Sequence, residues 1–225
     1  RRIRHMTILL VQEFWSPDDV DKGEIFSGSA GKFIAGMLSS VGIDFKDCAK
    51  LSVLSFNPPS NDLKNICGPK AQGVPGFPAL IKGKYLDAGF TSEIDRLYTE
   101  IAAVNPTLII TFGPTACWAL LKTSGLKHMR GASAPFYLHG HQYKVFPTYS
   151  AKAIFQEWKL KPILFSDLDK CRHESTFPEI MRPSRELWLE PSYGDLLLFE
   201  REHILPSPDL SIDIETAGRQ ITCIG

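Results

Sequence analysis

The sequence predicts an α/β fold: a central, mostly parallel four-stranded sheet flanked by helices, followed by a short strand-helix extension. Three observations carry that expectation. All-apolar runs of strand length recur along the chain, as strands buried on both faces require. Segments of helical period lie between them, the alternation that builds parallel sheets. And 44% of the 225 residues are hydrophobic, enough to bury one full core and begin a second module.

Arg1 to His5 reads as a vector remnant ahead of Met6. Thr7 to Val11 is the first strand, and a polar, proline-containing loop follows it. Phe33, Ile34, Met37, Leu38 and Val41 then repeat at helical spacing, and Gly42 supplies the stop. Leu51 to Leu54 forms the second strand, after which Asn57 to Gly89 has no clear period and reads as a long loop rich in Pro, Gly and Asn. Ile94, Leu97, Tyr98, Ile101 and Val104 mark an amphipathic helix. Leu108 to Phe112 is the third strand, turning at Gly113 into a helix that starts at Pro114. Lys144 to Phe146 gives the fourth strand, with helices at Ala151 to Trp158 and Leu164 to Cys171 beyond it.

The main module is thus expected over residues 6–180, with a connecting segment over 181–209: a strand at Leu187 to Glu190, a helix at Asp195 to Glu202 and a linker at Pro206 to Asp209. The last strand, Leu210 to Ile214, has nothing after Gly225 to pair with, so residues 210–225 read as the opening of a truncated further domain.

Twenty-five basic and twenty-five acidic residues cancel. No global positive field advertises nucleic acid, and any such contact must come from local patches. Five scattered cysteines without a CxxC pair fit a reducing, cytoplasmic setting. No apolar stretch reaches the ~20 residues of a membrane span, so no membrane partner is expected.

Four blocks carry chemistry. VQEFWSPDDVDKGEIFSGSAGKF at residues 11–33, LSVLSFNPPSND at 51–62, NPTLIITFGPTACWALL at 105–121 and VFPTYSAKAI at 145–154 stand in one order. Together they resemble the uracil-DNA glycosylase superfamily, which implies a three-layer sandwich that flips a nucleotide and hydrolyses its N-glycosidic bond. In the first block Glu13, Gly23, Phe26, Gly28, Ala30 and Gly31 match the iron–sulfur branch without a gap. The resemblance implies that Glu13 orients the attacking water or stabilises the sugar cation, and that Phe26 stacks on the base. Gln12 and Trp15 stand where the GQDPYH version has its Gln and its thymine-excluding Tyr. From the residues alone, the lesser alternative is that Phe26 is core and Glu13 a solvated loop acid.

Two matches fail. Ser52 stands where the resemblance implies an Asn that reads the pyrimidine edge, and one hydroxyl cannot replace a separate amide donor and acceptor. Ser150 replaces the His of PTYHPA, which stabilises charge on the departing base. Losing one such donor costs roughly 10²–10³ in rate. His139 and His141 lie upstream and read as loop or strand-edge residues, with a reach into the pocket as the lesser alternative. Lys152 and Phe155 follow where a DNA-wedging loop is implied, or else belong to an ordinary helix, and Arg130 is a further DNA-contact candidate in an Arg-Gly pair. Cys67 resembles one cluster ligand, but the N-terminal cysteine pair is absent and Phe56 takes another ligand place. No cofactor is expected for this module.

LSIDIETAGRQITCIG at 210–225 resembles the first motif of DNA-polymerase proofreading 3′-5′ exonucleases. Asp213 and Glu215 would face one side of a strand and, in a complete domain, hold Mg or Mn. The combined expectation is a DNA-binding, glycosylase-fold module of a phage replication or repair protein, a polymerase or an exonuclease, in the host cytoplasm. Its motifs imply weak or no excision from single-stranded or uracil-containing DNA. An active glycosylase led by Glu13 and a docking domain for replisome proteins are the alternatives.

Overall fold

The computed structural model describes residues 7–181, 188–209, 214–217 and 220–224. The expected remnant at 1–5 lies outside them. Backbone contacts divide the chain into two units, Arg1–Met181 and Arg182–Gly225.

In the first unit, β1 (Ile8–Phe14) leads through α1 (Pro17–Lys22) and α2 (Ser29–Ser40) to β2 (Ala49–Leu54). Residues 57–89 make several 3-10 turns and a two-residue antiparallel ladder, β3 (Cys67–Gly68) with β4 (Tyr85–Leu86). Val74, Leu80 and Leu86 of this stretch are buried, so the aperiodic loop extends the core. Then come α3 (Thr91–Val104), β5 (Leu108–Phe112), α4 (Pro114–Leu121), α5 (Leu126–Met129), β6 (Ala134–Leu138), β7 (His141–Thr148), α6 (Ala151–Gln156) and α7 (Lys161–Glu174).

The sheet runs β2-β1-β5-β7-β6, parallel throughout except for the antiparallel β6–β7 pair. It therefore has five strands where the sequence predicts four. The missed strand lies at the sheet edge, carries Pro135 and buries only alternate residues. A proline is tolerated at an edge, and such a strand lacks the continuous apolar run that betrays its central neighbours. His139 and Gly140, both at positive φ, turn it into β7. The helix α1 was also hidden, because six residues show no period; a Ser16–Asp19 capping box, Pro17 and Gly23 define it instead.

Leu9 and Val11 face one core layer beneath α3 and α4, while Leu10 faces the other beneath α2, α6 and α7. Each such side chain contributes about 1.5–3 kcal/mol by leaving water. Lys144 is fully buried in β7. Its ammonium donates to the carbonyls of Phe177 (2.6 Å) and Glu179 (3.0 Å) and pairs with Glu174, tying the chain beyond α7 to the sheet.

In the second unit, Trp188 to Glu190 is not the expected strand, and Leu187 lies outside the described residues. Glu190 takes φ 49° ahead of Pro191, which breaks an extended run, and Trp188 packs on Phe199 at 5.3 Å. A capping box of Ser192 and Asp195 opens α8 (Tyr193–Phe199), which continues into a π turn at Glu200–Ile204. Of the expected closing strand, Leu210 to Asp213 lie outside the described residues; Ile214 opens β8 (Ile214–Ala217), which forms an antiparallel hairpin with β9 (Gln220–Ile224), Ile214 pairing with Ile224.

Candidate active site

The loops at the carboxyl ends of β1, β2, β5 and β7 meet above the sheet, the edge where open parallel sheets present their ligand sites. They enclose a cavity of about 130 Å³ lined by Gln12, Glu13, Phe26, Asn61, Ser150 and Lys152, among others. This is well below the roughly 300–1,000 Å³ of sites for drug-sized ligands, and it suits one planar ring. A wider cleft of about 610 Å³ adjoins it and shares Glu13, Asn61, Ser150 and Lys152.

Glu13 is the penultimate residue of β1. Its position in the strand alternation sends the side chain toward α4, where a carboxylate oxygen accepts the Thr115 amide at 3.0 Å. That amide lies in the first turn of α4, where the helix dipole favours an anion. Burial pushes the Glu13 carboxyl above its ordinary range; the Thr115 hydrogen bonds and the Lys152 charge pull the other way without overcoming it. Gly113 stands at φ 95°, and a Cβ there would meet the Glu13 carboxyl carbon at 2.7 Å. A fixed carboxylate of raised proton affinity at a cavity wall can accept a proton from a water molecule.

Phe26 contributes the cavity's aromatic wall. It holds φ 58°, an uncommon conformation for a bulky residue, and packs edge-on against Phe45 (6.0 Å) and Phe112 (6.1 Å). It is therefore core and cavity wall at once. Helix α2 starts against its backbone: a Cβ at Gly31 would overlap the Phe26 carbonyl.

Buried Asp19 braces the β1–α2 connection. Its carboxylate accepts the Ser16 and Ser27 amides (both 2.9 Å), the Gln12 amide (3.0 Å) and the Ser27 hydroxyl (3.1 Å). Burial alone would raise its pKa, but these donors outweigh it and hold the group below its ordinary range. The Gln12 side-chain nitrogen also donates to the Phe14 carbonyl at 3.1 Å, so its donors serve the loop.

Ser52 and Trp15 do not line the cavity. The Trp15 indole donates to the buried Ser52 hydroxyl at 3.1 Å. The Asn57 amide donates to the Trp15 carbonyl (2.8 Å) and to the Asn61 side-chain oxygen (3.0 Å), and it is Asn61 that reaches the cavity from the loop after β2. Asn61 belongs to the second sequence block, LSVLSFNPPSND. An Asn that tolerates positive φ, following Pro-Pro after a strand, was the available signal.

Ser150 reaches the cavity but also caps α6, accepting the Ala153 amide at 3.4 Å. Lys152 lines both cavity and cleft, while Phe155 lies outward against Phe33. Arg130 is turned away: its guanidinium grips fully buried Asp167 with two hydrogen bonds and stacks over Tyr149, and the Thr148 hydroxyl donates to the same carboxylate at 2.7 Å. His139 sits in the β6–β7 turn and His141 packs on Tyr143; neither lines the cavity. Asp213 lies outside the described residues, and Glu215 falls in β8.

A family described as the uracil DNA glycosylase superfamily matches residues 5–173. The chain belongs to the uracil DNA glycosylase superfamily. The superfamily match spans all four sequence blocks and every cavity-lining residue, and stops before the second unit. A search of curated proteins finds no match. Among the described residues, no group of three His, Cys, Asp or Glu side chains is placed to hold a metal ion. No helix there is long and apolar enough to cross a membrane.

Proposed function

We propose that the first unit binds DNA and accepts one unstacked base in the Glu13 cavity, with excision weak or absent. The observation that carries this is the fate of two hydroxyls. Ser52 lies buried outside the cavity, accepting from the Trp15 indole, and Ser150 accepts the Ala153 amide as the cap of α6, at the positions where the resemblance implies a base-reading amide and a charge-stabilising imidazole.

In the reaction such a site would run, the base leaves with the electron pair of the C1′–N bond and the sugar becomes oxocarbenium-like. Water adds to C1′ and gives its proton to the carboxylate, and the departed base anion then takes up a proton, leaving free base, an abasic site and, once it releases its proton, the carboxylate. Glu13 can take the water's proton. The departing base, however, meets no imidazole; Ser150, Asn61 and Lys152 line the cavity instead, and losing one preorganised donor costs about 2.7–4 kcal/mol of barrier. The module's own chemistry calls for no metal or cofactor.

A second reading, an active glycosylase led by Glu13, is favoured by the raised proton affinity of that carboxyl. We place the unit in a phage replication or repair protein on the resemblance of residues 210–225 alone; in a domain of that kind Asp213 and Glu215 would bind Mg or Mn, and replisome proteins would be partners.

The test pairs anisotropy of a uracil-containing single strand at low salt with alkali cleavage of the same strand. Binding that survives Glu13→Gln, with few alkali-labile breaks, is expected. Efficient breaks abolished by Glu13→Gln would replace this reading with the active enzyme. Absence of binding at low salt, where phosphate contacts are strongest, would leave only a protein-docking role.

A further inference from the structure

Outside the cavity, α6, α7 and the turn between them expose a set of aromatic rings. Phe155 is 51% exposed, Trp158 59% and Phe165 44%. Phe155 meets Phe33 edge-on at 5.2 Å, Phe33 lies 6.1 Å from Trp158, and the Lys161 ammonium sits 4.8 Å over the Trp158 ring. Farther along, Lys32, Phe33, Lys161 and Phe165 border a shallow groove of about 760 Å³ between α2 and α7. The ledge starts at the cavity: Lys152 lines it, and Phe155 follows three residues later on the same helix.

The charge of this face departs from the balanced total. Residues 29–40 carry a single charged side chain, Lys32; residues 151–165 carry Lys152, Lys159 and Lys161 against one acid, Glu157, which is paired with Lys159. Scattered exposed rings are ordinary, but a contiguous set marks an interaction surface. Protein interfaces are depleted in lysine. Rings interleaved with cations are instead what unpaired nucleic acid uses, bases stacking on the rings while phosphates meet the charges.

We infer that the Phe155–Phe33–Trp158 ledge, with Lys32 and Lys161, is a track for single-stranded DNA leading to or from the cavity. This rests on the DNA-binding part of the reading above and is independent of what the cavity accepts. Duplex DNA, with its base faces already stacked, has no use for the rings.

The test uses the full chain and a short oligo(dT), which contains no uracil. Binding should quench tryptophan emission. Trp158→Ala should weaken affinity about tenfold, whereas Trp158→Phe should keep most of the affinity and lose most of the quench. Replacing Lys32 and Lys161 together by Ala should flatten the dependence of log affinity on log salt by about 1.4, at about 0.7 per single-strand phosphate contact. Unchanged affinity and salt slope in these variants, or equal binding of duplex with equal losses, would overturn the track. Oligo(dT) contains no uracil, so its binding does not report what the cavity prefers, and Tyr137→Ala, an exposed ring of β6 that is not part of the ledge, should bind it like the parent protein. A failed preference for uracil therefore leaves the track standing, and a failed track leaves the cavity reading standing.

Discussion

The Glu13 carboxylate accepts the Thr115 amide at 3.0 Å and occupies the space that any side chain at Gly113 would need. The charge of this group and its burial are therefore coupled. Burial raises its proton affinity in the folded state, so the folded chain holds this proton more tightly than the unfolded one. The group's contribution to stability is therefore complete below the ordinary carboxylate range and declines as pH rises through the raised value. Gln keeps the acceptor without the charge. Glu13→Gln should melt higher than the parent protein at neutral pH, by about 2–4 °C per kcal/mol relieved, and the difference should vanish in acid. Thermal unfolding over a pH series reads this directly, and a variant that melts lower at neutral pH would refute it.

Gly113 and Gly42 both adopt left-handed backbone, at φ 95° and 82°, but a Cβ at Gly42 would touch only the Arg172 side chain at 3.7 Å. Both Ala variants should carry conformational strain of about 1–3 kcal/mol. Only Gly113→Ala must also displace the Glu13 carboxylate, so only it should alter the affinity for uracil-containing DNA. Urea unfolding and anisotropy on the two variants side by side test this.

At the head of α6, Ser150 acts as a cap. Ser150→Ala should cost about 1 kcal/mol of stability and leave excision where it was. Ser150→His should lose the same cap yet aim an imidazole at the cavity. If the missing charge stabiliser limits catalysis, alkali-labile breaks should rise by roughly 10²–10³. A His variant that folds and binds without any gain would show that geometry, not this side chain, limits the reaction.

How much of this was legible depends on where each residue's information lies. Leu9, Leu10 and Val11 announce a central strand because all three are buried, whereas Ala134–Leu138 shows only alternate burial and a proline. Glu13, Phe26, Ser150 and Lys152 were readable as site candidates because each sits in a short motif at a strand end. Asp19, Asn61 and the partners of Arg130 were not. Asn57 bridges Trp15 across 42 residues, and Arg130 meets Asp167 across 37; such pairings exist only after the chain has folded. Ser52 looked like a cavity residue by alignment, yet its hydroxyl is claimed by an indole that the motif does not reveal.

Arg130 illustrates the consequence for mutagenesis. Asp167 is fully buried, and its carboxylate is satisfied by Arg130 and the Thr148 hydroxyl. Removing the arginine alone leaves a buried charge without its main partner, which costs about 3–5 kcal/mol. Arg130→Ala should therefore unfold at much lower urea, while the fraction that remains folded binds single-stranded DNA with unchanged salt dependence. Replacing both partners by apolar residues, Arg130→Met with Asp167→Leu, removes the orphaned charge and should recover much of the loss, a coupling that a double-mutant cycle measures. If Arg130→Ala instead kept its stability and lost about 0.7 of the salt slope, the guanidinium would be a phosphate contact and its pairing with Asp167 incidental.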